Sequence, residues 1–477
     1  MGGKNMVQDV VISSERDVVQ FVSRQPSSRL AWFVVLIALG GVFVDAYDFT
    51  SLGIGVVQLR RQFGLSPFGV GSVTAIMALG AFVGALCGGY YTDKVGRFRM
   101  FLLDLVFLVA AAIGAALSVN IMMLLFFRFL MGVGVGLDFP VALSFIAEYT
   151  NAREKGGNVN LWQGMWYVAA ACTGLIVLPF YYLGAGDSLW RIAVGFGAVP
   201  ALIILLLRYR FMDESPLWAA HNLGLHEAAR VLERTYGVRA TVVARERREA
   251  AVKPGDFREI FSPRYRARTI LASIICMTQS MQYFAVGFNL PSISTQLFGS
   301  DFLYAILGAV CFNLFGIVGG FGCAYATAAL GVRRLAAIGY SIVILALVVI
   351  SLGGPHLPVG LVALLIGLFI FGHSFGPGAQ GMTMATLSFP TRIRGIGTGW
   401  GQAMVRVGSI LGFYFFPLVV AAAGLQRMML YLAVIPALGL AAVMAIAWEP
   451  VGQPIDQADL ETTQTTYPET SADSELR

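Results

Sequence analysis

The chain has 477 residues, of which 57% are apolar and only 13% charged, and its mean hydropathy is +0.73. A soluble domain carries about twice that charged fraction, so the composition excludes a soluble globular protein and describes an integral membrane protein with many spans. The formal charge of +6 does not signal nucleic acid, because the basic residues sit in short loops between apolar runs, where they set orientation.

Residues 1–29 are predicted to form a cytoplasmic tail. They are too long and too acidic for a signal-peptide leader, and no cleavage is expected. Hydropathy then predicts spans at about 30–57, 68–91, 99–118, 121–148, 157–183 and 189–211. After a polar linker at 212–267, six more follow at about 269–297, 302–328, 333–352, 358–387, 395–423 and 427–448. Each is near the ~20 residues a helix needs to cross. The halves are therefore 30–211 and 268–448, and an even split of twelve points to a site between them at mid-membrane. In the linker, His226 to Arg234 spaces its apolar positions for one helix face, predicting short amphipathic helices at the membrane surface. The tail at 449–477 is rich in Thr, Glu and Asp and is expected to be disordered. Apart from Arg128 and Arg406 within spans and Arg60, Arg61, Arg191 and Arg427 on the far side, the Lys and Arg residues fall on one side. That asymmetry predicts cytoplasmic termini and linker.

Four features stand out in chain order. Asp45 and Asp48 lie three apart and share a face of the first span. The turn after the second span reads Gly89-Tyr-Tyr-Thr-Asp93-Lys-Val-Gly96-Arg97-Phe-Arg99, a tight charged turn. Arg128 to Glu148 reads RFLMGVGVGLDFPVALSFIAE, apolar enough to cross yet carrying Arg128, Asp138 and Glu148. Its glycines Gly132, Gly134 and Gly136 let a neighbouring helix approach closely. Charges in hydrocarbon face a protein interior or a wet cavity. The plain reading is a helix whose charges lock the bundle; the sharper one is a span lining a route for a polar solute. Last, polar side chains recur inside later spans: Gln163, Gln279, Gln282, Tyr283, Asn289, Asn313, His373 and Arg406.

The Gly89–Arg99 turn resembles the signature loop of the major facilitator superfamily, with Phe98 as a departure. Its counterpart, Ala324 to Arg334, keeps Gly331, Arg333 and Arg334 but has Ala328 for the Asp, and looks like a degenerate copy. Arg128-x-x-x-Gly132-x-Gly134-x-Gly136, Glu148 with Lys155-Gly156, Glu214-Ser215-Pro216-x-Trp218, Phe389 to Gly399 and Arg406-x-Gly408 resemble elements of sugar porters and related proton symporters. The resemblance implies an all-α integral membrane protein with the major facilitator fold, twelve transmembrane helices in two pseudo-symmetric six-helix halves. It also implies gating by Gly89, Asp93, Gly96, Arg97, Arg99, Glu148, Lys155, Arg392 and Arg394. Departures concern the substrate: Leu387 replaces a glutamate, Met382 a tryptophan, and the seventh span lacks the hexose-gripping QQxSGxN pattern. Asp45-Ala-Tyr-Asp48 looks like a motif of aromatic-acid and phosphate symporters, and Gly136-Leu-Asp138-Phe-Pro140 like one of phosphate symporters.

Two close, desolvated carboxylates favour a bound proton, and counting ~1.5 Å per residue puts Asp48 and Arg128 at similar depth. Asp45, Asp48, Arg128 and Asp138 are therefore expected to couple protons, with Asp48 and Arg128 paired. Static charge neutralisation is the structural alternative. Gln163, Gln279, Gln282, Tyr283, Asn289, Asn313 and Arg406 are expected to bind substrate. His373, Trp162 and Trp166 read as packing residues, and so do Cys87, Cys172, Cys276, Cys311 and Cys323. Nucleophile–base, Walker and metal patterns are lacking, so no enzyme, metal or cofactor is expected.

The function expected is proton-coupled symport of an organic acid, sugar or sugar acid by alternating access. The protein is expected to work as a monomer in the inner (plasma) membrane, with substrate, protons and lipids as its partners and no nucleic acid. A phosphate or aromatic-acid symporter and a proton-independent facilitator stay open. Drug export would not need so many intramembrane acids, and a nutrient sensor would need a longer folded cytoplasmic domain.

Overall fold

The computed structural model describes residues 9–25, 28–243, 255–299 and 301–459. Helix starts are written locally. Ser28, Ser66, Asn120 and Asp301 each turn a side-chain oxygen onto a backbone N–H of the first turn, at 3.0, 3.1, 2.9 and 3.1 Å, which satisfies a donor that the helix leaves free. The first half comprises Arg29–Ile54, Pro67–Val95, Arg97–Ala116, Ile121–Tyr149 and Lys155–Tyr182, with a sixth span built from Leu189–Phe196 and Ala198–Phe211. In the second half the seventh span is Arg266–Val286. The eighth and ninth form one helix, Phe302–Gly353, that turns at Gly331, and the eleventh and twelfth form Arg394–Ala445, which turns at Gly424. Counting those turns, the described residues hold twelve spans.

Besides the sixth, interrupted at Gly197, two spans differ from the uninterrupted runs expected. The seventh breaks at Gly287–Asn289 and resumes as Leu290–Phe298 with Pro291 in its first turn. The tenth runs Val359–His373, loosens into a wide turn over Ser374–Gly378, and continues as Ala379–Leu387. Pro377 has no N–H to give and Gly376 leaves helical geometry, so the ladder must open there.

The halves meet along two seams, the second span on the eleventh and the fifth on the eighth. Within the first half the second and fourth spans touch backbone to backbone: a Cβ on Gly132 would lie 2.0 Å from the Met77 carbonyl oxygen, and one on Gly84 would lie 2.2 Å from that of Val133.

The linker is more than surface helices. Helices Pro216–Asn222 and Leu225–Tyr236 and strand Arg239–Val242 assemble with strand Asp9–Ile12 and helix Glu15–Arg24 of the amino-terminal segment. The strands pair in parallel, Asp9 opposite Arg239 and Ile12 opposite Val242. Ile12, Val18, Val22, Leu217, Ala228 and Leu232 form a core of their own. At the other terminus, residues 455–459 are helical; 460–477, the rest of the expected disordered tail, lie outside the described residues. All five cysteines are free. Cys276 and Cys323 are buried as expected, whereas Cys87 and Cys311 lie on the outside of the bundle.

Gly132→Ala is expected to destabilise the bundle by about 1–3 kcal/mol through overpacking, read as a lower unfolding temperature in detergent. Gly71→Ala, whose Cβ meets nothing within 4 Å, is the matched control and should leave that temperature within about one degree.

Candidate functional site

Three groups of buried polar side chains lie along the axis between the halves. The first is an ionic lattice on the side of the linker and termini. Asp93 accepts hydrogen bonds from the backbone N–H groups of Gly395 and Ile396, at 3.0 and 2.9 Å, across the seam. Those donors open the eleventh span, where a helix end favours an anion. Arg97 is fully buried. It contacts Asp93 at 3.1 Å, donates to both oxygens of Glu148 at 3.0 and 3.2 Å, and donates to the Thr391 carbonyl of the other half at 2.9 Å. Glu148 also accepts from Arg394 at 3.1 Å. Arg394 forks onto Asp456, both contacts at 2.8 Å, and Lys155 lies 3.7 Å from the same carboxylate.

Of the other residues read from the motif, Arg392 grips Glu259 with both terminal nitrogens, and Asp459 lies 3.6 Å from its Nε, beside the lattice. Arg99 is exposed and makes no ion pair among the described residues.

Gly96 has φ +113° and abuts Glu214, whose carboxylate accepts from the N–H groups of Arg97 and Phe98 at 2.9 and 3.2 Å. Burial pushes the Glu214 carboxyl up from its ordinary value, against these donors. The second half repeats the device: Gly331 has φ +77°, and Glu449 accepts from Val332 and Arg333 at 3.1 and 3.0 Å. The turn at Ala324 to Arg334 is thus degenerate only in its missing aspartate; its glutamate cap is intact.

The second group is deeper. Asp45, Asp48, Asp104 and Asp138 and the guanidiniums of Arg128, Arg208 and Arg406 are all buried. The expected carboxylate–arginine pair does not form here. Arg128 donates to the main-chain carbonyl of Asp48 at 3.1 Å, while the Asp48 carboxylate lies against Gly197, where the sixth span is interrupted. Asp138 is held by Arg208 at 2.7 Å, and Arg208 also holds Asp104 at 2.9 Å while lying over the Phe101 ring at 3.5 Å. Neither Arg208 nor Asp104 is among the residues that the sequence pattern singles out. The signal that could have found Arg208 is a cation within the last turn of an apolar span, Ala198–Phe211. Neither carboxylate oxygen of Asp45 or Asp48 has a hydrogen-bond partner among the described residues.

The third group surrounds a cavity between the halves, with an empty volume of about 340 Å³, open solvent included. Gln163, Gln279, Tyr283 and Arg406 line it, as expected. So do Phe139, Phe284, Gln402 and three residues read as packing: Trp162, Trp166 and His373. Trp166 donates to the Tyr283 hydroxyl at 3.2 Å, and the Tyr283 ring stacks on His373 at 4.9 Å. Gln282 stands behind His373, 3.3 Å from its Nδ1, and Asn289 bonds back to the Ala285 carbonyl at 2.9 Å. Neither lines the cavity. Asn313 lines a second cavity, of about 650 Å³ with open solvent included, away from the linker; Phe49, Trp166, Tyr283 and Phe284 border both or stand between them. Between the central cavity and the lattice, Asn160 donates to Thr327 at 2.7 Å and to Gln380 at 3.2 Å and accepts from Thr383. These polar contacts cross the halves and close the linker side.

Comparison with known proteins agrees with this architecture. A family model described as "Sugar (and other) transporter" matches residues 33–461. The chain is 28% identical over 430 residues to the "Inner membrane metabolite transport protein YgcS" of Escherichia coli (strain K12), covering 89% of this chain and 92% of that one. It is 26% identical over 421 residues to the "4-hydroxybenzoate transporter PcaK" of Pseudomonas aeruginosa, covering 83% and 88%. Among solved structures, the MFS proton:xylose symporter XylE bound to 6-bromo-6-deoxy-D-glucose matches with a TM-score of 0.75 at 19% identity, covering 91% of this chain and 99% of that chain. At that identity the likeness establishes the fold.

Glu148→Gln removes the anion shared by two buried guanidiniums, which costs about 3–5 kcal/mol when a buried pair is broken. It is expected to open the linker side, and maleimide labelling of buried Cys323, followed by peptide mass spectrometry, should rise several-fold over wild type. Asp456 supplies a pH test. Burial would raise its carboxyl, but Arg394 and Lys155 hold it well below the usual carboxylate range. A lowered folded pKa gives stability that is present above the unfolded value of ~3.9 and lost only as pH falls through the folded one. The stability difference between wild type and Asp456→Asn should therefore stay flat from about pH 8 to about pH 5 and shrink only in stronger acid.

Proposed function

This chain belongs to the sugar (and other) transporter family of the major facilitator superfamily, and on that premise we propose that it carries a small polar metabolite, an organic acid, sugar or sugar acid, together with protons. The family and fold are those of membrane transporters, not enzymes. The observation that carries the coupled reading is the deep group of buried charges: Asp45 and Asp48 are without hydrogen-bond partners among the described residues, on the span whose Phe49 ring lies 4.5 Å from the guanidinium of Arg406 in the cavity wall. Keeping an ionised carboxylate in such a place is costly, and a proton relieves the cost.

In this reading the linker side faces the cytoplasm of the inner membrane, as the basic loops favour. Asp93, Arg97, Glu148, Lys155 and Arg394, with Gly89 and Gly96 allowing close approach, form the gate on that side, Arg392 and Arg99 flank it, and the structure is the gate-closed state. Substrate enters from the opposite side through the cavity lined by Asn313 and settles among Gln163, Gln279, Tyr283 and Arg406. Protonation within the set Asp45, Asp48 and Asp138 changes the hold on Arg128 and Arg208, and the halves rock about the two seams. One chain builds the whole site, so the unit of transport is a monomer.

The test is transport in proteoliposomes, using a ligand found by thermal shift among sugars, sugar acids, aromatic acids and phosphate. Asp48→Asn and Arg128→Gln should each abolish accumulation driven by a pH gradient while Asp48→Asn retains counterflow exchange. If both variants still accumulate substrate against its gradient, the coupling assigned to this pair is wrong.

A further inference from the structure

The amino-terminal helix Glu15–Arg24 is held at both ends by parts of the chain far from it in sequence. At its first residue, the Glu15 carboxylate lies 3.1 Å from Nδ1 of His221, on the linker helix Pro216–Asn222. Both side chains are mostly shielded, the His221 ring 13% exposed and the carboxylate 19%. At the other end, the Ser23 carbonyl accepts the backbone N–H of Ala152 at 3.2 Å. Ala152 sits in a pinned turn: the Asn151 side-chain oxygen accepts from the N–H groups of Arg153 and Glu154 at 3.1 and 2.9 Å, and its carbonyl accepts from that of Lys155 at 2.9 Å. That turn delivers Lys155 to the ionic lattice. Between the two ends, the Phe21 ring meets Tyr236 edge to face at 5.5 Å, and the Tyr236 hydroxyl donates to the main-chain carbonyl of Tyr149 at 3.3 Å, next to Glu148.

The helix therefore braces the two lattice residues that the fourth and fifth spans supply. Closing the linker side requires Glu148 and Lys155 in register with Arg394 and Asp456 of the other half. The open side has no such requirement, so a firmer brace favours the closed state.

The charge on His221 can vary, since an imidazole changes charge between about pH 5 and pH 8. The neutral ring can hydrogen-bond a carboxylate; the protonated ring adds ion pairing to that bond. Glu15 is the carboxylate that faces it. The other charged groups on the elements packed against this linker helix are engaged elsewhere or stand in solvent. On the amino-terminal helix, Asp17 accepts from Ser13 and Ser14, and Arg16 and Arg24 are exposed. On Leu225–Tyr236, Glu227 pairs with Arg230, Arg234 pairs with Asp213, Glu233 accepts from the Ala240 N–H and His226 is exposed. Arg392 grips Glu259, and Glu148 holds Arg97.

Resting on the transport reading above, we propose that the Glu15–His221 pair is a pH-sensitive brace for the gate: protonated His221 holds the amino-terminal helix firmly and favours the closed linker side, and neutral His221 lets that side open more readily. The ring takes its proton from solvent on the linker side, and no other bond forms or breaks. Protons delivered with substrate acidify that side, so the brace slows a carrier that outruns the removal of its protons.

Maleimide labelling of Cys323 in the full chain, at about pH 6 and about pH 8, tests this. Each rate is divided by that of the unfolded chain at the same pH, which removes the titration of the thiol itself. His221→Gln and Glu15→Gln, their folds checked by thermal unfolding, keep a hydrogen bond and lose the ion pair. Each should label roughly threefold faster than wild type at the lower pH and at the wild-type rate at the higher one. Other titrating groups are common to both proteins and cancel in that ratio. His221→Lys keeps its charge throughout, and should match wild type at the lower pH and label roughly threefold more slowly than wild type at the higher one. A ratio near one for the glutamine variants at both pH values, a ratio raised equally at both, or His221→Lys labelling like His221→Gln would each overturn the proposal. Loss of pH-driven accumulation for every ligand tested would instead count against the coupled reading, on which the labelling does not depend.

Discussion

A charge inside a membrane protein has to be balanced where it stands, because lipid and packed helices screen it so weakly. In this protein that constraint organises the whole axis. At the linker end three carboxylates and three cations interlock across the halves, and each partner comes from a different element: the second, third, fourth, fifth and eleventh spans, and the carboxyl-terminal segment. Deeper, one arginine of the sixth span serves two aspartates of the third and fourth. The two clusters differ in what remains unpaired. The lattice satisfies its carboxylates with guanidiniums and backbone N–H groups, which suits a contact that must close firmly. The deep set leaves Asp45 and Asp48 without donors among the described residues, which suits groups that change protonation.

Glycine and proline placement converts that electrostatic plan into geometry. Close backbone contact between the second and fourth spans fixes the first half as a unit, and similar contacts between Gly89 and Gly395, and between Gly157 and Ala324, bring the halves together at the lattice. Two of the helix interruptions lie by contrast around the cavities. The seventh span breaks beside Tyr283 and Phe284, and the tenth opens just after His373. Rigid seams at one end and interrupted helices at the centre are what a carrier needs if its halves rock and its cavity walls adjust.

Internal symmetry adds a second layer. The glutamate caps at Glu214 and Glu449 sit three or four residues beyond the last helix of each half and close the same kind of glycine turn. Asp93 has no such twin, since Ala328 stands in its place. The seam between the second and eleventh spans therefore carries a charged clasp, and the seam between the fifth and eighth relies on Gly157 and the Asn160 hydrogen bonds. The two seams are alike in backbone and unlike in chemistry.

The sequence by itself determined the class, the number of spans, the division into halves and most of the lattice. Those follow from apolar run length, loop charge and a motif whose members lie close together in the chain. It also marked Gln163, Gln279, Tyr283 and Arg406, because polar groups in apolar runs are conspicuous. Pairing was decided by the tertiary structure. Asp48 and Arg128 were matched by depth alone, but rotation about the helix axis turns the Asp48 carboxylate toward Gly197 and leaves Arg128 its backbone carbonyl. Asp138 found Arg208, 70 residues away, and Glu148 found Arg394, 246 residues away. Trp162, Trp166 and His373 looked like packing because an aromatic residue in a span looks the same whether it faces a neighbour or a cavity. A one-dimensional pattern gives depth in the membrane well, since depth is proportional to residue number. It gives azimuth poorly, since that depends on how twelve helices settle against one another.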